Sequence, residues 1–126
     1  MNSTKIKNFR DLKIWQRGVQ LVEDIYQNTK NFPKEEVYGL TGQLRRAAVS
    51  IPSNIAEGFG RFHNKEYVQF LFTALGSCSE VITQLTIAQR LGFIKNNNAE
   101  NLIGEAEQIS KMIMGLVKKL REDTIH

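Results

Sequence analysis

The chain has 126 residues, of which 41% are apolar and 24% charged; this is the length of one domain and excludes the disordered and collagen-like classes. Its net charge is +4, and Lys5, Lys7, Arg10, Lys13 and Arg17 set against Asp11 account for that surplus within residues 1–17. Such an arm either meets an anionic partner or serves as a solubilising tail.

The first predicted helix runs from Asn8, a candidate N-cap, to about Lys30. Leu12, Trp15, Val19, Val22 and Tyr26 recur at spacings of three and four, and Ile14, Gly18, Leu21 and Ile25 form a second stripe beside them. Two stripes make an apolar surface wider than one neighbour needs, so something beyond the chain's own bundle is expected to cover it. Phe32-Pro33 ends the segment.

The second helix is expected from about Lys34 to Gly58 or Gly60, with Val37, Leu40, Leu44, Ala47 or Ala48, Ile51, Ile55 and Phe59 in register. Pro52 lies inside it, which predicts a kink near Ala48, or else a split into two helices. Gly58 and Gly60 are read as the left-handed stop. Asn64 is expected to cap a third helix carrying Tyr67, Phe70 or Leu71, Ala74, Cys78, Val81 or Ile82, Leu85 and Ala88 inward, ending at Leu91-Gly92. Gly76 within it suggests a close helix crossing. Asn98 is expected to cap a fourth helix with Leu102, Ala106, Ile109, Ile113, Leu116 and Leu120 in line. No period-two alternation occurs. The predicted fold is all-α, an antiparallel up-down-up-down four-helix bundle in a single domain over 1–126, with loose ends at about 1–7 and 122–126.

Residues 1–7 have no apolar segment behind them, and no run approaches the ~18 consecutive apolar residues of a membrane span. A cytoplasmic protein without membrane contact is therefore expected. Cys78 has no second thiol for a disulfide, and Ser77 and Ser79 beside it add none for a metal; it reads as a small buried side chain.

The stretch from Leu44 to Gly58 carries the most information. Gln43, Arg46, Ser50, Asn54 and Glu57 fall on one polar line of the second helix, with Arg45 beside it, and Thr73, Ser77, Glu80 and Gln84 form a line on the third. The two lines are expected to meet. Either arginines there grip an external carboxylate or phosphate, or Arg46 pairs internally with Glu80 or Glu57 and fixes which faces fit.

Signals for catalysis are sparse. His63 sits in an inter-helix turn and His126 ends the chain, so no metal site and no Ser/His/Asp or Cys/His set can be assembled. Gly58 to Gly60 lacks the strand and spacing of a dinucleotide loop. Arg121 followed by His126 matches a spacing found in small helical ribonucleases, but the pair lies in the predicted loose tail with Glu122 and Asp123 between. No enzyme activity and no cofactor are expected.

The segments FRDLKIWQ from Phe9, FPKEEVYGL from Phe32, QLRRAAVSIPSNIAEG from Gln43 and EYVQFLFTALGSCSEVITQL from Glu66 resemble the bacterial four-helix-bundle proteins encoded in intervening sequences of 23S ribosomal RNA genes. The matching positions are Gln43, Arg45, Arg46, Ala47, Ser50, Ile51, Pro52, Asn54, Ile55, Ala56, Glu57 and Gly58, then Gly76, Ser77 and Glu80. The resemblance implies four antiparallel helices assembled as a homopentamer. A more distant resemblance, to the basic pentameric accessory protein of diversity-generating retroelements, implies binding to nucleic acid and to a nucleic-acid-processing enzyme.

The function expected from these readings is a non-enzymatic homo-oligomer that binds RNA or DNA, or a nucleic-acid-processing protein. The candidate contact residues are Lys5, Lys7, Arg10, Lys13, Arg17 and Arg45; Gln43, Arg46, Ser50, Asn54, Glu57, Ser77 and Glu80 form a structural or interface network. Aromatic residues interleaved with basic ones are not evident in the sequence. The alternative is a pure protein-interaction module.

Overall fold

A computed structural model describes residues 6–125, with side chains to Asp123. Its elements are four helices: α1 (Lys13–Thr29), α2 (Leu40–Phe59), α3 (Asn64–Arg90) and α4 (Asn96–Ile125). Short 3-10 turns at Phe9–Asp11 and Lys34–Glu36 precede α1 and α2, and no strand occurs among the described residues. Each helix packs on its sequence neighbours and α1 also packs on α4, which closes the bundle; α2 and α3 share the broadest contact.

The start of α1 differs from the expectation. Asn8 caps the 3-10 turn, its Oδ1 accepting from the Arg10 N–H at 2.9 Å, and the α-helix begins only at Lys13. Of the two apolar stripes, the one buried is Ile14, Gly18, Leu21 and Ile25, extended by Thr29. Leu12, Trp15, Val19 and Val22 are half-buried, and Tyr26 is exposed. Thr29 folds its hydroxyl onto the Ile25 carbonyl at 2.8 Å, and Phe32 turns inward against the Phe93 ring at 5.7 Å.

Helix α2 begins at Leu40, later than predicted, because the segment after Pro33 closes as a 3-10 turn. The Glu36 carboxylate then accepts from the Leu40 N–H at 3.0 Å, satisfying one orphan donor of the new helix. Val37, expected in the helical register, is consequently exposed. A single helix runs through Pro52, so the split alternative is excluded, and Pro52 is itself buried. The expected left-handed stop is absent: Gly58 is a buried helical residue and Gly60 has φ −78°. Gly58 permits close approach instead, since a β-carbon there would lie 2.8 Å from Phe70 Cβ and 2.9 Å from Tyr67 Cδ1.

In α3 the expected inner face is buried, with Cys78 enclosed in it. His63, not Asn64, is the N-cap residue, and the Asn64 amide donates to the Leu120 carbonyl at 3.2 Å. Gly76 does not mark a close crossing, for nothing lies within 4 Å of a β-carbon placed there. The helix ends as predicted at Leu91-Gly92: Gly92 has φ 77°, and the Phe93 N–H reaches the Ala88 carbonyl at 2.9 Å, a closure that glycine's left-handed freedom allows. By length and composition alone α3 could cross a membrane, with mean hydropathy 1.3 over 18 residues. Here its apolar face meets the other helices.

Helix α4 starts at Asn96, so Asn98 lies within its first turn and is not its cap. Ala99, Leu102, Ala106, Ile109, Ile113 and Val117 are buried, whereas Leu116 and Leu120, expected in that line, are half-buried. The helix continues to Ile125, through residues expected to be loose.

Candidate nucleic-acid interface

The basic residues expected to act together fall in three places. Near the start of α1, the Arg10 guanidinium lies over the Phe9 ring at 5.2 Å, and Phe9 meets Trp15 edge-on at 5.4 Å. Gln16 Nε2 donates to the Arg10 carbonyl at 2.8 Å, which ties the turn to the helix. Lys7, Arg10 and Lys13 are exposed there; Lys5 lies outside the described residues.

Arg17 does not join them. Its Nε and one Nη donate to the two Glu105 carboxylate oxygens at 2.8 and 2.7 Å, and its other Nη points at Met112 Sδ at 3.5 Å. The hydrogen bond to Glu105, aided by that carboxylate's charge and opposed by partial burial, holds the guanidinium above its ordinary pKa. A bidentate pair of this kind leaves the arginine little capacity for a phosphate. Arg45 lies elsewhere, beside the end of α1: its Nε donates to Thr29 Oγ1 at 2.9 Å and its guanidinium covers the Tyr26 ring at 4.5 Å.

The polar lines of α2 and α3 do meet. Ser77 Oγ donates to Ser50 Oγ at 2.9 Å, and Asn54 Nδ2 donates to the same hydroxyl at 2.9 Å and to the Ser50 carbonyl at 2.8 Å. The expected Arg46 ion pair is absent. Among the described residues the ion pairs are Arg17–Glu105 and Arg61–Glu57, the latter one helical turn apart at 2.8 Å. Glu57 is thus taken by Arg61, and Arg46 and Glu80 instead border an open groove of about 270 Å3 with Gln43, Ser50 and Gln84. The Gln84 Oε1 is buried there without a partner.

A grouping invisible along the chain arises from packing. Gly18 against Pro52 and Trp15 beside Ala56 align the start of α1 with the end of α2. Gly58 against Tyr67 joins that end to the start of α3, and Asn64 bonded to Leu120 brings in the end of α4. Arg61, Lys65, Lys118, Lys119 and Arg121 therefore share one end of the bundle with Lys7, Arg10 and Lys13, facing only Asp11, Glu57, Glu66, Glu122 and Asp123. Away from this end the described acids and bases are equal in number, so the described surplus lies here. Arg121 stacks on Phe72 at 5.0 Å and Arg61 on Phe70 at 4.7 Å. Arg121 is thus in use as a stacked surface cation, and His126 of the ribonuclease-like pair lies outside the described residues. Phe62, 92% exposed in the turn before α3, supplies an aromatic beside basic residues, contrary to the sequence reading.

A second surface feature is apolar. Trp15, Val19 and Val22 of α1 with Val49, Pro52 and Ala56 of α2 line a groove of about 310 Å3. This is the stripe of α1 that its own bundle leaves half-covered.

Residues 10–115 match the family described as 23S rRNA-intervening sequence protein. Among solved structures the chain is similar to a protein of unknown function from the S23 ribosomal protein family of Bacteroides thetaiotaomicron, with TM-score 0.75 and 19% identity over 83% of this chain and 98% of that one. That likeness shows the fold. No curated protein matches.

Proposed function

The chain belongs to the 23S rRNA-intervening sequence protein family, and we propose that it acts without catalysis or cofactor, as a self-associating bundle that binds RNA or DNA through its basic end. The observation that carries this reading is the meeting at one end of the bundle of three stretches of chain, residues 7–13, 57–66 and 118–123, which together hold the charge surplus of the described residues. Lysines held close together by a rigid bundle engage successive phosphates without the cost of ordering a flexible tail. A docked nucleic-acid-processing protein is a further partner of the same assembly.

The test is binding of a labelled oligonucleotide as a function of salt. Each phosphate contact contributes about 0.9 to the slope of log affinity against log salt for duplex DNA and about 0.7 for a single strand. Replacing Lys13, Lys118 and Lys119 by Gln together should flatten the slope by roughly two to three, with similar losses for unrelated sequences because phosphate contacts carry no base information. Arg17→Gln should change it little, since Glu105 already neutralises that guanidinium. Absence of any salt-dependent binding by the parent would favour the pure protein-interaction reading, for which the apolar groove between α1 and α2 is the supporting observation.

A further inference from the structure

We propose that the turn between α2 and α3 is a stacking platform for a base of single-stranded nucleic acid, with the Phe62 ring beneath the base. The inference rests on the nucleic-acid reading of the basic end and adds to it a residue and a strand preference. The Phe62 ring is left 92% in water; Tyr38, at 94%, is the other ring so exposed, and it stands before α2 at the end of the bundle away from the basic residues. Phe62 sits at the tip of a short turn, and His63 steadies it from one side, the rings nearly perpendicular with centroids 5.2 Å apart.

The stem of the turn is firmly held. Arg61 is fixed to Glu57 at 2.8 Å and lies over Phe70, and the Arg61 N–H donates to the Gly58 carbonyl at 3.0 Å. On the other side the Glu66 and Tyr67 N–H groups donate to the His63 carbonyl at 3.1 Å, and Asn64 is bonded across to α4. A ring presented by such a stem loses little conformational freedom when a base settles on it. Beside it the surface is open and slightly concave, lined by Phe62, His63, Asn64, Lys65 and Glu66, so nothing in the fold blocks a base from reaching the ring.

Charge selects the occupant. The turn itself is balanced, Arg61 and Lys65 against Glu57 and Glu66, but the ring stands on the end of the bundle where the surplus of residues 7–13 and 118–123 lies, so an apolar face comes with a net positive surrounding. That pairing fits an anionic chain bearing flat apolar groups, which is a nucleic acid with its bases unpaired. Duplex DNA hides its base faces and can offer the ring nothing to stack on.

The experiment compares Phe62→Ala and Phe62→Trp with the parent protein, by fluorescence anisotropy with a labelled oligothymidylate and with a labelled duplex across a salt series. Phe62→Ala should bind the single strand about tenfold more weakly, the scale of one lost base–aromatic stack, with unchanged salt slope and unchanged duplex affinity. Phe62→Trp should restore or exceed parental binding. Circular dichroism and sedimentation are expected to match the parent, since the side chain touches almost nothing in the fold. Parental single-strand affinity in Phe62→Ala, or equal losses on single strand and duplex, overturns the stacking inference while leaving the basic end intact. A parent that binds neither polymer overturns both, and a Phe62→Ala variant altered only in subunit number assigns the ring to a subunit contact and overturns the inference alone.

Discussion

A β-carbon at Gly58 would lie 2.8 Å from Phe70 Cβ and 3.1 Å from the Tyr67 carbonyl, neither of which can swing away. Gly58→Ala is therefore expected to lower stability by about 1–3 kcal/mol despite alanine's better helix propensity. Gly76→Ala meets no atom within 4 Å and should raise it by up to about 1 kcal/mol. Urea midpoints of the two variants check the pair. Tyr67 offers a pH test: burial pushes its hydroxyl up from 10.0 to about 12. Between those values the unfolded chain loses the proton first, so this residue's contribution to stability is intact below pH 10.0 and declines as pH rises toward about 12. Tyr67→Phe should remove that part of the alkaline decline, seen as a smaller difference between unfolding midpoints on the two sides of the window. At this scale the sequence was an uneven guide. It marked Cys78 as buried and put Ser50 and Ser77 on two polar lines expected to meet, but the small size of Gly76 suggested there the close approach that Gly58 makes, because a glycine's place along one helix carries no information about which neighbour comes near.

Helices α1 and α2 illustrate what periodicity can and cannot specify. All four helices were legible, as was the end at Gly92, since apolar recurrence at three and four and a left-handed glycine are local signals. The starts were not, because 3-10 turns and side-chain caps decide them: Asn8 caps a turn before α1, and Glu36 fixes the entry to α2. Of the two carboxylates weighed as internal partners for Arg46, Glu57 lies eleven residues further along the same helix, about 16 Å away at 1.5 Å per residue, and is held by Arg61, while Glu80 shares an open groove with Arg46 without pairing to it. Pro52 has a structural counterpart in Gly18, where a β-carbon would stand 3.3 Å from the proline ring. Gly18→Leu should cost about 1–3 kcal/mol through overpacking, and less in a Pro52→Ala background that opens the contact. A double-mutant cycle in denaturant measures the coupling; additive effects would mean that the two helices separate freely at this point.

At the scale of the whole molecule, the groove between α1 and α2 and the basic end make different demands on assembly. The resemblance noted in the sequence implies a pentamer, which would carry a net charge of +20 if each subunit keeps its +4. On the proposed function, repeated basic ends on such a ring would bind one polymer multivalently, so that an affinity weak in one subunit would be multiplied by effective concentration. Like charges also repel, and the ring closes only if apolar burial outweighs that cost. Val49, 41% exposed among the groove-lining residues, is where this balance can be tipped with little effect on the fold. Val49→Asp should reduce the assembly to a 14.4 kDa monomer by sedimentation equilibrium, with helicity retained. Loss of avidity should then weaken binding to a long oligonucleotide by a hundredfold or more on the order of effective-concentration gains, while a fragment short enough to span one subunit binds nearly as before. If Val49→Asp sediments as the parent does, the half-covered stripe of α1 is not the subunit contact. If long and short oligonucleotides lose affinity equally, the basic end of a single subunit is the whole binding site.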